Sequence, residues 1–219
     1  KNILIGCKLV IQKNQKGTAD AIEVAKKHIK TENFIILFGD VPLITDKSLK
    51  KLIRSFKKNN TGSMIAFETH RPKGYGRVVL NNNKVTKVVE EINASHDEKL
   101  IEFCNSGIML VKKSIFYKNI KLIKFNKKKK ERYLTDIFEI YFKKNIPFSL
   151  VASSENEMSG VNNLTDFNKV DGLFQNRLIN KFLEQGVLIK RPETSYFSYN
   201  TKIAKKVVIE PNVVIRNNV

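Results

Sequence analysis

Asp40 is the side chain whose setting offers the most chemistry. It closes FIILFGD, residues 34–40, in which five apolar residues of strand length run into Gly39 and a carboxylate. So uniform an apolar run predicts a strand buried on both faces, an interior strand of a parallel sheet. A carboxylate just past it stands at the carboxyl edge, where ligands of open α/β sheets bind. There it could hold Mg²⁺, a hard ion that takes oxygen ligands and substrate phosphates; equally, an Asp before Val41-Pro42 could only make a turn. Residues 12–18, QKNQKGT, set Gly17-Thr18 at a helix start, where backbone N–H groups can meet an anion or a base edge, or merely form a cap. Residues 74–77, GYGR, permit close backbone approach to a ligand, or mark a plain turn. Glu90 at a strand end and Asn105 before Ser106-Gly107 are hydroxyl readers or ordinary surface residues. GVNN, residues 160–163, reads as a turn before a helix.

The elements that must hold these residues alternate. Thr18 is expected to cap a helix with the stripe Ala21, Ile22, Ala25 and Ile29. Thr45 or Asp46 caps a second helix through Phe56. Residues 64–67, 108–111 and 148–152 read as strands, and 134–142 as a helix. Residues 78–80 and 85–89 form a hairpin across Asn81-Asn82-Asn83, since Asn tolerates left-handed turns. Thr165 caps a last long helix through Leu183. Strands alternating with helices argue a three-layer α/β domain. After Thr201 the period changes. Ile203, Ile209 and Ile215 recur every six residues, as do Val207, Val213 and Val219. That is the step of hexapeptide repeats in a β-helix, set against chance alternation in a strand. The expected division is therefore 1–195 and 196–219.

Composition excludes several classes. No apolar run approaches the ~20 residues that span a bilayer, and Ile3-Leu4-Ile5 is too short for a signal peptide. Cys7 and Cys104 form neither a metal-ligand pattern nor a disulfide scaffold, so a reducing, cytoplasmic setting is expected. The net charge of +19 invites a polyanion partner. The lysines, however, are spread along the chain, and the run from Lys127 to Lys130 lacks aromatics to stack bases. Neither nucleic acid nor membrane is expected as a partner.

Taken together the motifs are specific. QxxQxGTA, FGDVPLIT, GYGRV, VVEExxAS, NSGIM, YLTDI and GVNN, in this order between Gln12 and Asn163, resemble the bacterial bifunctional N-acetylglucosamine-1-phosphate uridyltransferase/glucosamine-1-phosphate acetyltransferases. The terminal hexads continue the match. The resemblance implies a Rossmann-like nucleotidyltransferase domain followed by the start of a left-handed parallel β-helix. It implies uridylyl transfer from UTP to N-acetylglucosamine 1-phosphate, giving UDP-N-acetylglucosamine and pyrophosphate for cell-wall and lipopolysaccharide precursors. Asp40 and Asn162 would be the catalytic pair that binds Mg²⁺. Gln12 would read uracil, with Gly17 and Thr18 also on the nucleotide and Phe38 and Gly39 lining the site. Gly76, Glu90 and Asn105 would hold the sugar, and Tyr133 and Thr135 would complete its pocket.

Several positions depart from that pattern. Phe38 stands where Tyr is common, Asp20 where His is frequent, Ile92 where Lys is frequent and Arg191 where Asp is usual. No stretch matches the Gly-rich signature loop whose Arg and Lys grip the triphosphate. The expectation is therefore a fragment that turns over poorly alone, from a parent that also acetylates glucosamine 1-phosphate with acetyl-CoA and trimerises through its β-helix. The alternatives are another hexose-1-phosphate nucleotidylyltransferase, or a binding protein that keeps only the sugar pocket.

Overall fold

The computed structural model describes residues 6–82, 84–126 and 130–218. Ile3, Leu4, Ile5, Asn83, Lys127, Lys128, Lys129 and Val219, which enter the expectations above, lie outside them. Contacts divide the chain into two units, residues 1–39 with 44–158, and residues 40–43 with 159–219.

Unit 1 runs α1 (Thr18–Ala25), β1 (Asn33–Ile36), α2 (Asp46–Asn59), β2 (Gly62–Glu68), β3 (Arg77–Asn81), β4 (Lys84–Val89), α3 (His96–Lys99), β5 (Phe103–Lys112), α4 (Lys113–Ile120), α5 (Asp136–Lys143), β6 (Ser149–Ser153) and α6 (Glu155–Met158). The sheet order is β4-β3-β5-β2-β6, with β1 also on β5. Cys104 of β5 pairs with Arg77 and Phe67, and Met109 with Ile36 and Met64. Thus β3 and β1 share one edge of β5, while β2 takes the other.

This corrects the expectation for residues 34–38. β1 is short, pairs antiparallel with β5, and leaves Phe34 and Ile35 half-buried and Leu37 exposed. The parallel contact is between β2 and β6, and the fully interior apolar strand is β2, where Met64, Ile65, Ala66 and Phe67 are completely buried. An apolar run reports burial; the direction of its neighbours is set by how the chain returns, and here the long β5 returns antiparallel.

The caps differ as well. Thr45 caps α2 as expected, its hydroxyl accepting the Ser48 N–H. Ser48, Leu52 and Phe56, spaced by four, form the buried stripe of α2. Burying Leu52 and Phe56 is worth about 1.5–3 kcal/mol each. Thr18, by contrast, lies inside α1 with Gly17 at the cap, and Ala21 of the expected stripe is exposed. The last long helix, α7 (Leu164–Glu184), is capped by the Asn163 side chain, which accepts the Asp166 N–H, and not by Thr165.

In unit 2, Leu178, Ile179 and Phe182 of α7 share one apolar cluster with Val187, Ile189, Phe197 and Ile209. Four two-residue strands follow α7: β7 (Leu188–Ile189), β8 (Tyr196–Phe197), β9 (Val208–Ile209) and β10 (Val214–Ile215). β7 pairs parallel with β9, and β8 with β10. Ile203, Val207, Val213 and Ile215 pack against the cluster, while the neighbours Val208 and Val214 point outward. Lys206, Asn212 and Asn218 all have left-handed backbones, one every six residues. The buried Gln175 amide joins helix to coil: it donates to the Phe197 carbonyl and accepts the Phe197 N–H, both at 3.0 Å. Because α7 packs on the coil, the compact division falls at Met158/Ser159 instead of near Ser195.

One buried carboxylate ties three elements of unit 1. Glu157 accepts the Thr45 N–H at 2.6 Å and the hydroxyls of Ser48 and Ser153 at 2.7 Å each. Burial alone would raise its carboxyl, but these donors outweigh it and hold the group below the usual range. A depressed folded-state value gives stability that is fully present above the unfolded value and lost as pH falls through the folded one. Glu157→Leu should therefore cost about 3–5 kcal/mol at neutral pH, since three donors lose their acceptor. Against wild type, that deficit should shrink as pH drops below the ordinary glutamate value of 4.5. Urea titrations at pH 7 and pH 4 check this; a deficit independent of pH would show that the ionised form contributes nothing.

Candidate functional site

The site residues of unit 1 gather along β5. Asn105 donates its backbone N–H to the Gly76 carbonyl at 2.8 Å, and its side-chain oxygen accepts the Gly107 N–H. Gly107 has φ of +77°, and a Cβ there would come within 2.7 Å of the Phe38 ring. The Gly of NSGIM is thus required twice, by its backbone and by the ring laid over it. Phe38 lacks the hydroxyl of the usual Tyr and does this by shape alone.

Glu90 faces the same place. One oxygen accepts the Thr135 hydroxyl at 2.7 Å, and the other lies 3.6 Å from where a Gly76 Cβ would stand. Gly76, Glu90, Asn105 and Thr135, far apart in sequence, are therefore one cluster. Tyr133 belongs beside it: burial, then the carboxylates of Glu131, Glu90 and Asp136, push its phenol up. Burial, with Glu139 and Glu90 nearby, also raises Asp136.

The segment carrying Tyr133 and Thr135 is bound to the QKNQKGT motif. Arg132 accepts the Ala19 N–H and donates to the Lys16 carbonyl, and Leu134 donates to the Thr18 hydroxyl. A Cβ on Gly17 would come within 2.5 Å of the Arg132 carbonyl oxygen, so this glycine is needed for packing whatever it does for a ligand. The Arg132 guanidinium reaches Glu23 and the Ile120 and Ile123 carbonyls. Gln12 donates to the Gly17 carbonyl and, at 2.9 Å, to Asp20. Asp20, one of the departures, thus engages the amide that the resemblance assigns to uracil. Ile92 is exposed. Arg191 pairs only loosely with Glu193, both exposed.

In unit 2 the loops of Asp40 and Asn162 touch. The Val161 N–H donates to the Asp40 carbonyl at 2.8 Å, and a Gly160 Cβ would meet that same oxygen and the Asn162 amide at 3.7 and 3.8 Å. Arg177 donates to the Leu43 carbonyl, fixing the far end of the 40–43 segment. The two asparagines divide their work: Asn163 caps α7, while the Asn162 backbone N–H meets Asp166 at 3.0 Å. Among the described residues no group of three or more His, Cys, Asp or Glu is placed to share a metal. One carboxylate with one amide oxygen suits a hard cation that keeps most of its water.

Sequence reading missed Arg77 and Glu91. Arg77 is 1% exposed, and its guanidinium meets the Glu91 carboxylate at 2.6 Å. The signal was an Arg between a glycine loop and the apolar Val78-Val79, a place where a charge has to find a partner. Cys7 and Cys104 are both free; Cys7 is exposed, while burial pushes the Cys104 thiol up to about 11.

The nucleotidyl transferase family model matches residues 2–156. The chain belongs to the nucleotidyl transferase family. It is 37% identical to the bifunctional protein GlmU of Bartonella bacilliformis over 92% of this chain and 45% of that one. With the GlmU of Agrobacterium fabrum it shares 34% identity over 93% of this chain and 46% of that one. The chain thus spans about half the length of the curated relatives it matches. Solved structures share the mixed α/β, Rossmann-like fold. An apo UDP-glucose pyrophosphorylase superposes with a TM-score of 0.58 at 16% identity, over 76% of this chain and 63% of that one. A CMP:2-keto-3-deoxy-manno-octonic acid synthetase complexed with CTP gives 0.55 at 15%, over 78% and 72%. Nucleotidyl transfer is the activity for which the family is named, and no helix among the described residues is long and apolar enough to cross a membrane.

Gly107→Ala should destabilise unit 1 by about 1–2 kcal/mol from its left-handed backbone alone, with more from displacing the Phe38 ring. Chemical denaturation of Gly107→Ala in wild-type and Phe38→Ala backgrounds separates the two. A penalty unchanged by removing the ring would show that Phe38 does not press on this position.

Proposed function

We propose that a protein of the relatives' length carrying this chain transfers a uridylyl group from UTP to N-acetylglucosamine 1-phosphate, releasing pyrophosphate, with this chain supplying the sugar side of the site and turning over little by itself. The cluster of Gly76, Glu90, Asn105 and Thr135 carries this reading. A backbone edge, a carboxylate and an amide side by side are what a polyhydroxyl sugar needs, because each hydroxyl both donates and accepts. The motif resemblance supports the N-acetylglucosamine and uridine identities. Gly17 and Thr18, at the start of α1, and Gln12 serve the nucleotide, and Phe38 and Gly39 line it.

A phosphate oxygen of the sugar 1-phosphate attacks the α-phosphorus of UTP. That P–O bond forms as the bond from the α-phosphorus to the β-phosphate bridging oxygen breaks, and pyrophosphate departs with its electron pair. Asp40 and Asn162 would hold Mg²⁺, which supplies neutralisation of phosphate charge. The protein's share is positioning: Glu90 and Asn105 fix the sugar and so aim its phosphate, and a near-attack geometry lowers the barrier without covalent help. For a whole protein of the relatives' length, we read the coil after α7 as the first turn of a left-handed hexapeptide β-helix. Its support is the left-handed backbone at every sixth residue over inward Ile and Val. Homotrimer assembly and acetyl transfer from acetyl-CoA belong to that same reading.

Ligand-induced stabilisation tests the assignment. At 100 Kd, UDP-N-acetylglucosamine with Mg²⁺ should add about 2.7 kcal/mol, a Tm rise of roughly 5–10 °C at this size. UDP-glucose and dTDP-glucose should do less, and Asp40→Asn should remove the Mg²⁺-dependent part. A larger shift with dTDP-glucose would assign another hexose 1-phosphate, and no shift with any nucleotide sugar would sink the reading. Pyrophosphate release by a chain extended upstream through a signature loop, compared with this chain alone, separates an enzyme from a binding protein. Glu90→Ala should weaken N-acetylglucosamine 1-phosphate binding about tenfold or more while leaving UTP binding near wild type; equal losses in calorimetry would make Glu90 merely structural.

A further inference from the structure

The ion pair between Arg77 and Glu91 lies beside the carbohydrate cluster and touches none of its assigned residues by side chain. All that it holds belongs to one loop. Arg77 donates one Nη to the Tyr75 carbonyl and the other to Glu91 Oε2, and the same carboxylate oxygen accepts the Gly74 N–H at 3.3 Å. The loop itself is a turn closed by the Tyr75 N–H on the Pro72 carbonyl, and the Tyr75 ring sits edge-on to Phe67 at 5.0 Å. Its next residue, Gly76, presents the carbonyl that Asn105 binds and the space that Glu90 faces.

Stability alone is a poor account of this pair. A buried ion pair often does no better than well-packed apolar side chains of the same volume. Here the Arg77 Nε–H is buried without a partner among the described residues, which adds a cost. What an apolar residue could not do is grip a carbonyl on one side of the turn and, through Glu91, an N–H on the other. The pairing also runs along the chain. Arg77 is the first residue of β3, in register with Val89, the last of β4, so Gly76 lies just before the one strand and Glu90 and Glu91 just past the other. Joining Arg77 to Glu91 fixes where the Glu90 carboxylate stands against the Gly76 backbone, two groups that a bound hexose would meet side by side. The carboxylate remains ionised for this: the hydrogen bond from Arg77 holds the Glu91 carboxyl below its ordinary value.

We propose that Arg77 and Glu91 are positioning residues that hold the Gly76 backbone and the Glu90 carboxylate in the arrangement that binds the sugar phosphate, and so set its selectivity among hexose 1-phosphates. The proposal rests on the function proposed above for the Gly76, Glu90 and Asn105 cluster. Neither side chain contacts the sugar in this view; each acts through the loop backbone and through Glu90.

Glu91 is one-third exposed, so its variants are the ones expected to fold, where Arg77→Met could fail. Calorimetric titration of the chain with N-acetylglucosamine 1-phosphate, glucose 1-phosphate and UTP, in wild type, Glu91→Leu, Glu91→Gln and Arg77→Lys, tests it. Glu91→Leu should weaken N-acetylglucosamine 1-phosphate about tenfold, the worth of one hydrogen bond to a charged group. UTP affinity should stay within about twofold, and the preference over glucose 1-phosphate should narrow. Glu91→Gln, which keeps an acceptor for both Arg77 and Gly74, should recover most of the loss. Arg77→Lys should not, because an ammonium cannot span carbonyl and carboxylate as the planar fork does. Unchanged sugar-phosphate affinity in Glu91→Leu, or equal losses for sugar phosphate and UTP, would overturn the positioning role while leaving the function standing. No binding of any sugar 1-phosphate by wild type would overturn the functional reading itself.

Discussion

A strand with partners on both edges leaves its residues little freedom, and β5 is such a strand along much of its ten residues. With β2 on one edge and β3 and β1 on the other, a one-residue slip would send its buried side chains to the opposite face. The registry decides more than the core. It sets Asn105 opposite Gly76, brings Gly107 beneath the Phe38 ring, and starts β3 at Arg77, so the GYGR loop ends where the ladder begins. The cluster of Gly76, Glu90 and Asn105 is therefore a consequence of strand pairing, with Glu90 delivered to it by the end of β4.

Three buried polar side chains show how unit 1 and unit 2 each solve the same problem. Glu157 has three donors, Gln175 satisfies both backbone groups of Phe197, and Arg77 spans a turn. Each is a long side chain standing in for backbone hydrogen bonds where regular structure stops: at the start of α2, at β8 of the coil after α7, and before β3. Buried polar groups left alone are costly, so such residues mark the joints of the fold more sharply than apolar ones do. The abundant surface lysines do little of this work. Pairs such as Lys50 with Asp46 are exposed on both sides, and exposed pairs contribute little.

The motifs, the approximate elements and the six-residue step of the tail were legible in the chain, because each is a local pattern: a cap, an apolar run, a glycine beside a strand. Thr45 capped α2 as its hydroxyl and spacing implied, and Ile203, Val207, Ile209, Val213 and Ile215 pack into the apolar cluster while Val208 and Val214 do not. Thr165 failed as a cap because Asn163 stands two residues earlier, with a side chain that reaches the Asp166 N–H. Gly17 displaced Thr18 for a reason no local pattern carries: the backbone of Arg132, over a hundred residues away, lies against it.

Sequence alone thus determined which residue types were available for chemistry, and a resemblance in their order gave them provisional roles. Tertiary structure alone decided which of them meet. An apolar run at 34–38 states neither how far water is excluded nor which strand lies beside it, so β1 was expected in a parallel interior and is found antiparallel to β5 with Leu37 exposed. Arg77 and Glu91 could not be paired from spacing, because their contact depends on the register of β3 against β4. Local pattern is fixed by a residue's neighbours in the chain, whereas a binding cluster is fixed by neighbours in space, and these are chosen by the whole sheet at once.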